Sequence, residues 1–134
     1  MKQVVTKRLP VEGIGRQGMQ ENRECSVIAA LKTFASKWKP CILCYLAEKP
    51  MRYNDLYRII PNISRKMLSE HLKELVSNAI IERVQYDKKM QRVEYRLSDK
   101  GLSLLPVLNH LQDWGLRHIK DTLSIKQMLE LTMD

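Results

Sequence analysis

Apolar positions along the chain change their period twice. Over residues 25–35, Val27, Ile28, Leu31 and Phe34 recur at spacings of one, three and three, which predicts a helix with one apolar face. Ser36 offers a cap for a second helix, and Pro40 falls in its first turn, where a missing N–H loses no partner. Trp38, Ile42, Tyr45 and Leu46 predict the buried stripe of that helix. The stretch "EKPMRY" turns the chain, and "YNDLYRII" predicts a short third helix with Leu56, Ile59 and Ile60 inward, stopped by Pro61. The strongest pattern is "NISRKMLSEHLKELVSNAI". Ser64 is a candidate N-cap, Leu68, Leu72, Leu75, Val76 and Ala79 share a face, and Lys66, Ser69, Glu70, Lys73 and Ser77 lie opposite.

Beyond this helix the period becomes two. Val84 and Tyr86 precede the turn "DKKMQ", and Val93, Tyr95 and Leu97 follow it as the inward set, with Arg83, Arg92, Glu94 and Arg96 pointing the other way. This predicts a β-hairpin with a basic tip. Helical spacing then returns with Leu104, Val107, Leu108 and Leu111, continued by His118 and Ile119. Pro106 predicts either a kink in this helix or its true start. A short terminal helix presents Ile125, Met128 and Leu129. The expected fold class is therefore mainly α with a small β-hairpin (α+β). The expected organisation is a glycine-bearing flexible arm over residues 1–22, one domain over 23–123 and a C-terminal helix over 124–134.

The chain has 134 residues, enough for one core, and its 44% apolar and 28% charged content is that of an ordinary globular protein. No apolar run approaches the roughly 20 residues of a membrane span, and the N-terminus lacks the apolar block of a secretory signal, so no membrane partner and a cytoplasmic location are expected. The net charge is +8 and the pI near 9.5. Residues 49–100 carry twelve basic side chains against seven acidic ones, whereas residues 101–134 carry three against four. A basic region with a non-basic end suggests one surface that faces a polyanion.

Two short helices joined by "PNI" and followed by a two-stranded ribbon form the arrangement of a winged helix-turn-helix, here with extra N- and C-terminal helices. The second helix of such a pair enters the major groove of double-stranded DNA with its N-terminal residues at base edges. Ser64, Arg65, Lys66, Ser69 and Lys73 on helix 64–78 suit that role. Lys88, Lys89 and Arg92 on the wing 87–92, and Arg52 before the third helix, are placed to meet flanking phosphates. Which of them read bases and which only position the protein stays open. Glu70 and Glu74 on or near the same outer face temper the basic character. Any amphipathic helix also carries charge on its wet side, so a winged-helix protein-interaction module without sequence-specific DNA binding is the alternative. The long Leu-rich 104–119 stripe has little core left to cover in a chain this small, which argues for a twofold dimer on an inverted repeat.

The segments "KWKPCILCYL", "MRYNDLYRIIPNISRKMLSEHLKEL", "RVEYRLSDKGLSLLPVL" and "DWGLRH", in this order, resemble the HxlR-type family of bacterial transcriptional regulators, a branch near the MarR-type winged helices. The resemblance implies a DNA-binding homodimer with dimer contacts on the 25–34 face and the 104–119 stripe.

Cys41-x-x-Cys44 has the spacing of a redox pair or of half a zinc site. Zinc wants four ligands, and His71, His110 and His118 show no paired spacing with these thiols. No strand precedes the pair, which argues against a thioredoxin-like role. The pair reads as small residues near the core, with a reactive Cys41 near Lys37 and Lys39 as the other option. Cys25 begins the first helix beside Arg23. The family resemblance adds that a Cys at this position, usually followed by Pro, senses oxidants or electrophiles in some members. Ser26 replaces that Pro here, so Cys25 stands either as a thiol sensor or as a buried helix-start residue. As a sensor it answers to an oxidant or small-molecule effector, an adduct in or beside the dimer interface changing the angle between the reading helices. No Ser/His/Asp set, carboxylate pair, phosphate loop or metal motif points to an enzyme, and "GIGRQG" precedes no strand–helix unit. No cofactor is expected.

Overall fold

The computed structural model describes residues 23–87, 89 and 92–132; the expected arm over residues 1–22 lies outside them. Two units divide between Lys32 and Thr33. In the first, α1 (Ser26–Phe34) begins; a Lys32–Glu24 ion pair of 2.5 Å bridges its start, and Val27, Ile28 and Leu31 are exposed.

The second unit holds the core. The Ser36 hydroxyl accepts the Trp38 and Lys39 N–H groups at 3.3 and 2.9 Å in a turn just ahead of α2 (Lys39–Glu48); the cap position itself is Trp38, without a side-chain cap bond, and Pro40 sits in the first turn. Ile42, Leu43, Cys44, Tyr45 and Leu46 are all buried, so this helix is enclosed nearly all round rather than along one stripe. α3 (Tyr53–Ile59) buries Leu56. Asn62 takes a left-handed φ of 64°, and that residue type tolerates the tight turn into α4 (Arg65–Ser77). Ser64 caps α4 by accepting the Met67 N–H at 3.0 Å.

Leu68, Leu72 and Leu75 form the buried face of α4 as expected, and His71 joins them. Val76 and Ala79, assigned to that face from the sequence, are exposed. For Ala79 the physical reason is that the helix stops at Ser77. The Ile80 N–H bonds the Leu75 carbonyl at 2.9 Å and the Ala79 N–H bonds that of Val76 at 2.9 Å. This is a Schellman cap with Ala79 at φ 60°, and it turns Ile80 into the core beside Leu75.

β1 (Ile81–Asp87) and β2 (Arg92–Leu97) pair antiparallel. The register corrects the expected faces. Ile81 opposes Leu97, Arg83 opposes Tyr95 and Val84 opposes Glu94. Arg83 thus shares a face with Tyr95, and Val84 shares one with Glu94. Buried Ile81, set by the preceding cap, decides the parity, and an irregularity between Gln85 and Asp87 leaves Tyr86 56% exposed. Met51 pairs with Tyr95 through two backbone bonds of 3.0 and 2.8 Å, which ties the α2–α3 connection to the ribbon.

α5 (Asp99–His118) starts on the Ser98 cap, so Pro106 lies inside the helix and does not mark its start. Ser98 also binds back to the end of α4. Its N–H donates to the Ile80 carbonyl at 3.1 Å, and its hydroxyl lies 2.5 Å from the Ala79 carbonyl oxygen. α6 (Ile125–Thr132) opens with a reciprocal cap: the Ser124 hydroxyl accepts from the Gln127 N–H and the Gln127 amide oxygen accepts from the Ser124 N–H, at 3.1 and 2.8 Å.

Two substitutions have opposite expected signs. A methyl group at Gly101 would collide with the Ile80 carbonyl and press on Leu97. Gly101→Ala is expected to destabilise by about 1–3 kcal/mol even though alanine is the better helix former. Ala79→Gly relieves a left-handed alanine and is expected to stabilise by roughly 0.5–1 kcal/mol. Urea unfolding of both variants checks the pair of signs.

Candidate nucleic-acid interface

The outer side of α4 is fixed by what holds its inner side. Tyr53 of α3 donates to the Arg65 carbonyl at 3.0 Å and accepts from the Ser69 hydroxyl at 3.3 Å. The Arg65 guanidinium lies over the Tyr57 ring, 4.2 Å from its centre. Two of the expected reading residues are therefore turned toward α3, and Ser64 is engaged as the cap. Lys66 and Lys73 remain on the open face, both exposed and with no ion pair among the described residues. Met67 is also exposed beside them, an apolar group that sequence periodicity did not single out.

Glu74 does not weaken this face as the sequence suggests. Its carboxylate sits 2.5 Å from the Lys39 ammonium of α2, with Lys39 only 6% exposed and Glu74 55%. The Lys39 hydrogen bond, then its charge, hold the Glu74 carboxyl below its ordinary value. Lys39 was legible only as a helix-start cation; its burial is set by the fold. His71 lies buried next to this pair with neither ring nitrogen hydrogen-bonded. Burial, and next the Lys39 charge, push its pKa down, which keeps the imidazole neutral near pH 7.

Arg52 and Arg58 both pair with Asp55, at 3.5 and 2.5 Å. Burial pushes the Asp55 carboxyl up, but the Arg58 and Arg52 hydrogen bonds and charges outweigh it and hold it below its ordinary value. Arg52, Asp55 and Arg58 are shared by two open concavities of about 440 and 520 Å³. One reaches Arg65 and the other Lys49 and Arg92, so the fold joins predicted Arg52, Arg65 and Arg92 to unpredicted Arg58 and Lys49. Arg92 is exposed and 3.2 Å from Glu94. Lys89 is exposed at the ribbon tip; Lys88 lies outside the described residues.

All three thiols are free. Cys25 is exposed in the single chain, just before α1. Burial raises the pKa of Cys41, and burial followed by the Cys41 charge pushes Cys44 up to about 11. The expected help for a Cys41 thiolate is missing because Lys39 is committed to Glu74 and Lys37 sits over the Trp38 ring at 4.8 Å.

A helix pair, a tight turn, a ribbon and flanking helices define a winged helix-turn-helix of the MarR-like regulator class. The chain belongs to the HxlR-like helix-turn-helix family, which it matches over residues 33–123, and it is a helix-turn-helix transcriptional regulator. It is 41% identical over 104 residues to the regulator YtcD of Bacillus subtilis strain 168, covering 75% of this chain and 82% of YtcD. The YtcD crystal structure superposes with a TM-score of 0.67 at 40% identity, covering 72% of this chain and 98% of that one. The redox regulator HypR in its reduced form gives 0.66 at 29%, with 72% and 95% covered. Quinone-bound YodB from B. subtilis gives 0.59 at 35%, with 68% and 96% covered. No described helix is long and apolar enough to cross a membrane.

Removing the Glu74 charge leaves Lys39 without its partner. Glu74→Gln is expected to destabilise by about 1–2 kcal/mol at pH 7, a value reduced by the screening of a half-exposed carboxylate. Because the folded pKa of Glu74 is depressed, its contribution is complete above the ordinary value of 4.5 and fades as pH falls through the lower folded value. Stability curves of variant and wild type converge in acid if the pair acts this way.

Proposed function

We propose that two copies of this chain bind an inverted-repeat operator, each laying α4 in the major groove of double-stranded DNA. The observation that carries this is the exposure of Lys66 and Lys73 on the face of α4 opposite fully buried Leu68 and Leu75. Lys66 and Lys73 supply the reading or near-groove contacts, and Met67 offers apolar contact to a thymine methyl. Arg65 and Ser69 act chiefly by orienting α4 through Tyr57 and Tyr53, and Ser64 by capping it. Arg52, Arg58, Lys49, Arg92 and the wing lysines Lys88 and Lys89 meet backbone phosphates.

A second copy is supported by apolar surface that the described chain leaves open. On α5, Val107, Leu111, Trp114 and His118 recur at helical spacing; Trp114 is 58% exposed and lies tilted against the His118 ring, 4.9 Å between ring centres. On α1, Val27, Ile28 and Leu31 are open as well. A contiguous apolar stripe of this kind marks a protein interface. Solved relatives named as redox regulators, and YodB in diamide-treated and quinone-bound forms, support a thiol switch. Exposed Cys25, beside the proposed dimer helix α1, is its candidate here, with an oxidant or electrophile as effector. An adduct there tilts one reading helix out of its groove.

In gel-shift titration, Lys66→Ala with Lys73→Ala is expected to weaken operator binding at least about tenfold, with stability unchanged within roughly 0.5 kcal/mol. Unchanged affinity removes both from the contact surface. Lys89→Ala is expected to weaken binding on every sequence alike and flatten the log–log salt dependence by about one unit. A loss confined to one operator contradicts a phosphate contact. Cys25→Ser is expected to abolish the diamide response; a wild-type response rules out the switch.

A further inference from the structure

The Cys41–Cys44 pair takes no part in the DNA contacts described above. Both residues line one cavity of about 240 Å³, and Met128 of α6 lines it too. Residues three apart share a helix face, which sets the two cysteines one turn apart on α2. The remaining wall is largely apolar, with Trp38, Ile60 and the Lys37 chain, whose ammonium lies over the Trp38 ring. Among the described residues no group of three or more His, Cys, Asp or Glu side chains is arranged to hold a metal. The ligands offered by side chains in this cavity are therefore chiefly sulfur.

We propose that Cys41, Cys44 and Met128 form a binding site for a soft, thiophilic monovalent metal ion, of which Cu(I) is the test case. Thiolate and thioether sulfur select such an ion over oxygen-seeking cations. Zinc is disfavoured because a structural zinc site needs four nitrogen, oxygen or thiolate ligands, and thioether is not among them. Two thiolates and one Cu(I) carry a net charge of −1. Half-buried Cys41 gives the ion its way in. On binding, two S–H bonds and the Cu–N bonds to the chelator break, and three S–Cu bonds form, two from thiolates and one from the thioether. The protons pass to buffer, the chelator that delivered the ion is released, and no electron changes hands. The affinity therefore rises with pH.

The test uses the reduced full-length chain carrying Cys25→Ser, which removes the exposed thiol. Cu(I) is supplied anaerobically as its bicinchoninate complex, whose colour is lost on transfer. The expected result is one Cu(I) per chain, two protons released, and a first shell of three sulfurs by X-ray absorption. Stoichiometric Zn(II) binding is not expected. Adding Cys41→Ser is expected to weaken binding by more than the roughly 10- to 100-fold that loss of a supporting residue costs. Met128→Leu, conservative on a half-open helix face, is expected to weaken it roughly tenfold and to leave two sulfurs in the shell. Circular dichroism confirms that each variant is folded. Undiminished binding in Cys41→Ser, a nitrogen or oxygen first shell, or equal affinity for Zn(II) overturns the site.

Discussion

The inner face of α4 is the constraint on which the rest depends. Leu68, Leu72 and Leu75 are sealed in one core with Ile42, Leu43, Leu56 and Ile81. Each such side chain contributes roughly 1.5–3 kcal/mol by leaving water, so rotating α4 about its axis is costly. Polar ties then refine the position. Glu74 holds the Lys39 ammonium of α2, and the Tyr53 phenol of α3 engages Ser69 and the Arg65 carbonyl. The helix is thus gripped from both preceding helices, and its remaining surface, with Lys66, Met67 and Lys73, is presented in one direction.

This arrangement also sorts charge. Glu74 is neutralised by a lysine from the interior, and Asp55 is held between Arg52 and Arg58. Glu74, which tempers the basic face in a linear reading, instead holds a cation of α2, while Glu70 stays exposed on the outer face. Asp55 keeps two guanidinium groups near the wing side, where they adjoin Arg92. Arg65 is held in place on an aromatic ring. Preorganised cations lose less rotamer freedom on contact with phosphate than free ones do.

Much of the fold was legible because its signals are local. Ser64 caps where a hydroxyl precedes an apolar-periodic run, Pro61 follows the end of α3, and the change from period 3.6 to 2 marks the ribbon. What escaped depends on contacts distant in sequence. Ala79 continues the apolar pattern, yet the Schellman cap ends the helix before it. The strand parity is decided by Ile81 and by an irregularity at Tyr86, neither visible in alternation alone. Lys39 and His71 are polar residue types that burial selects only once α2 and α4 meet. At the site, Lys66 and Lys73 were legible as an exposed face. Ser69 and Arg65 were not legible as orienting groups, because Tyr53 and Tyr57 belong to another helix. Arg58 and Lys49 carried no pattern of their own, and only the shared concavities bring them to Arg52.

The most direct test of the account is selection of bound duplexes from a random pool by the full-length chain, followed by sequencing. Two reading helices related by a twofold axis predict an inverted repeat with half-site centres about one helical turn, roughly 10 bp, or a multiple of it apart. An unenriched pool, or a single asymmetric site, contradicts it.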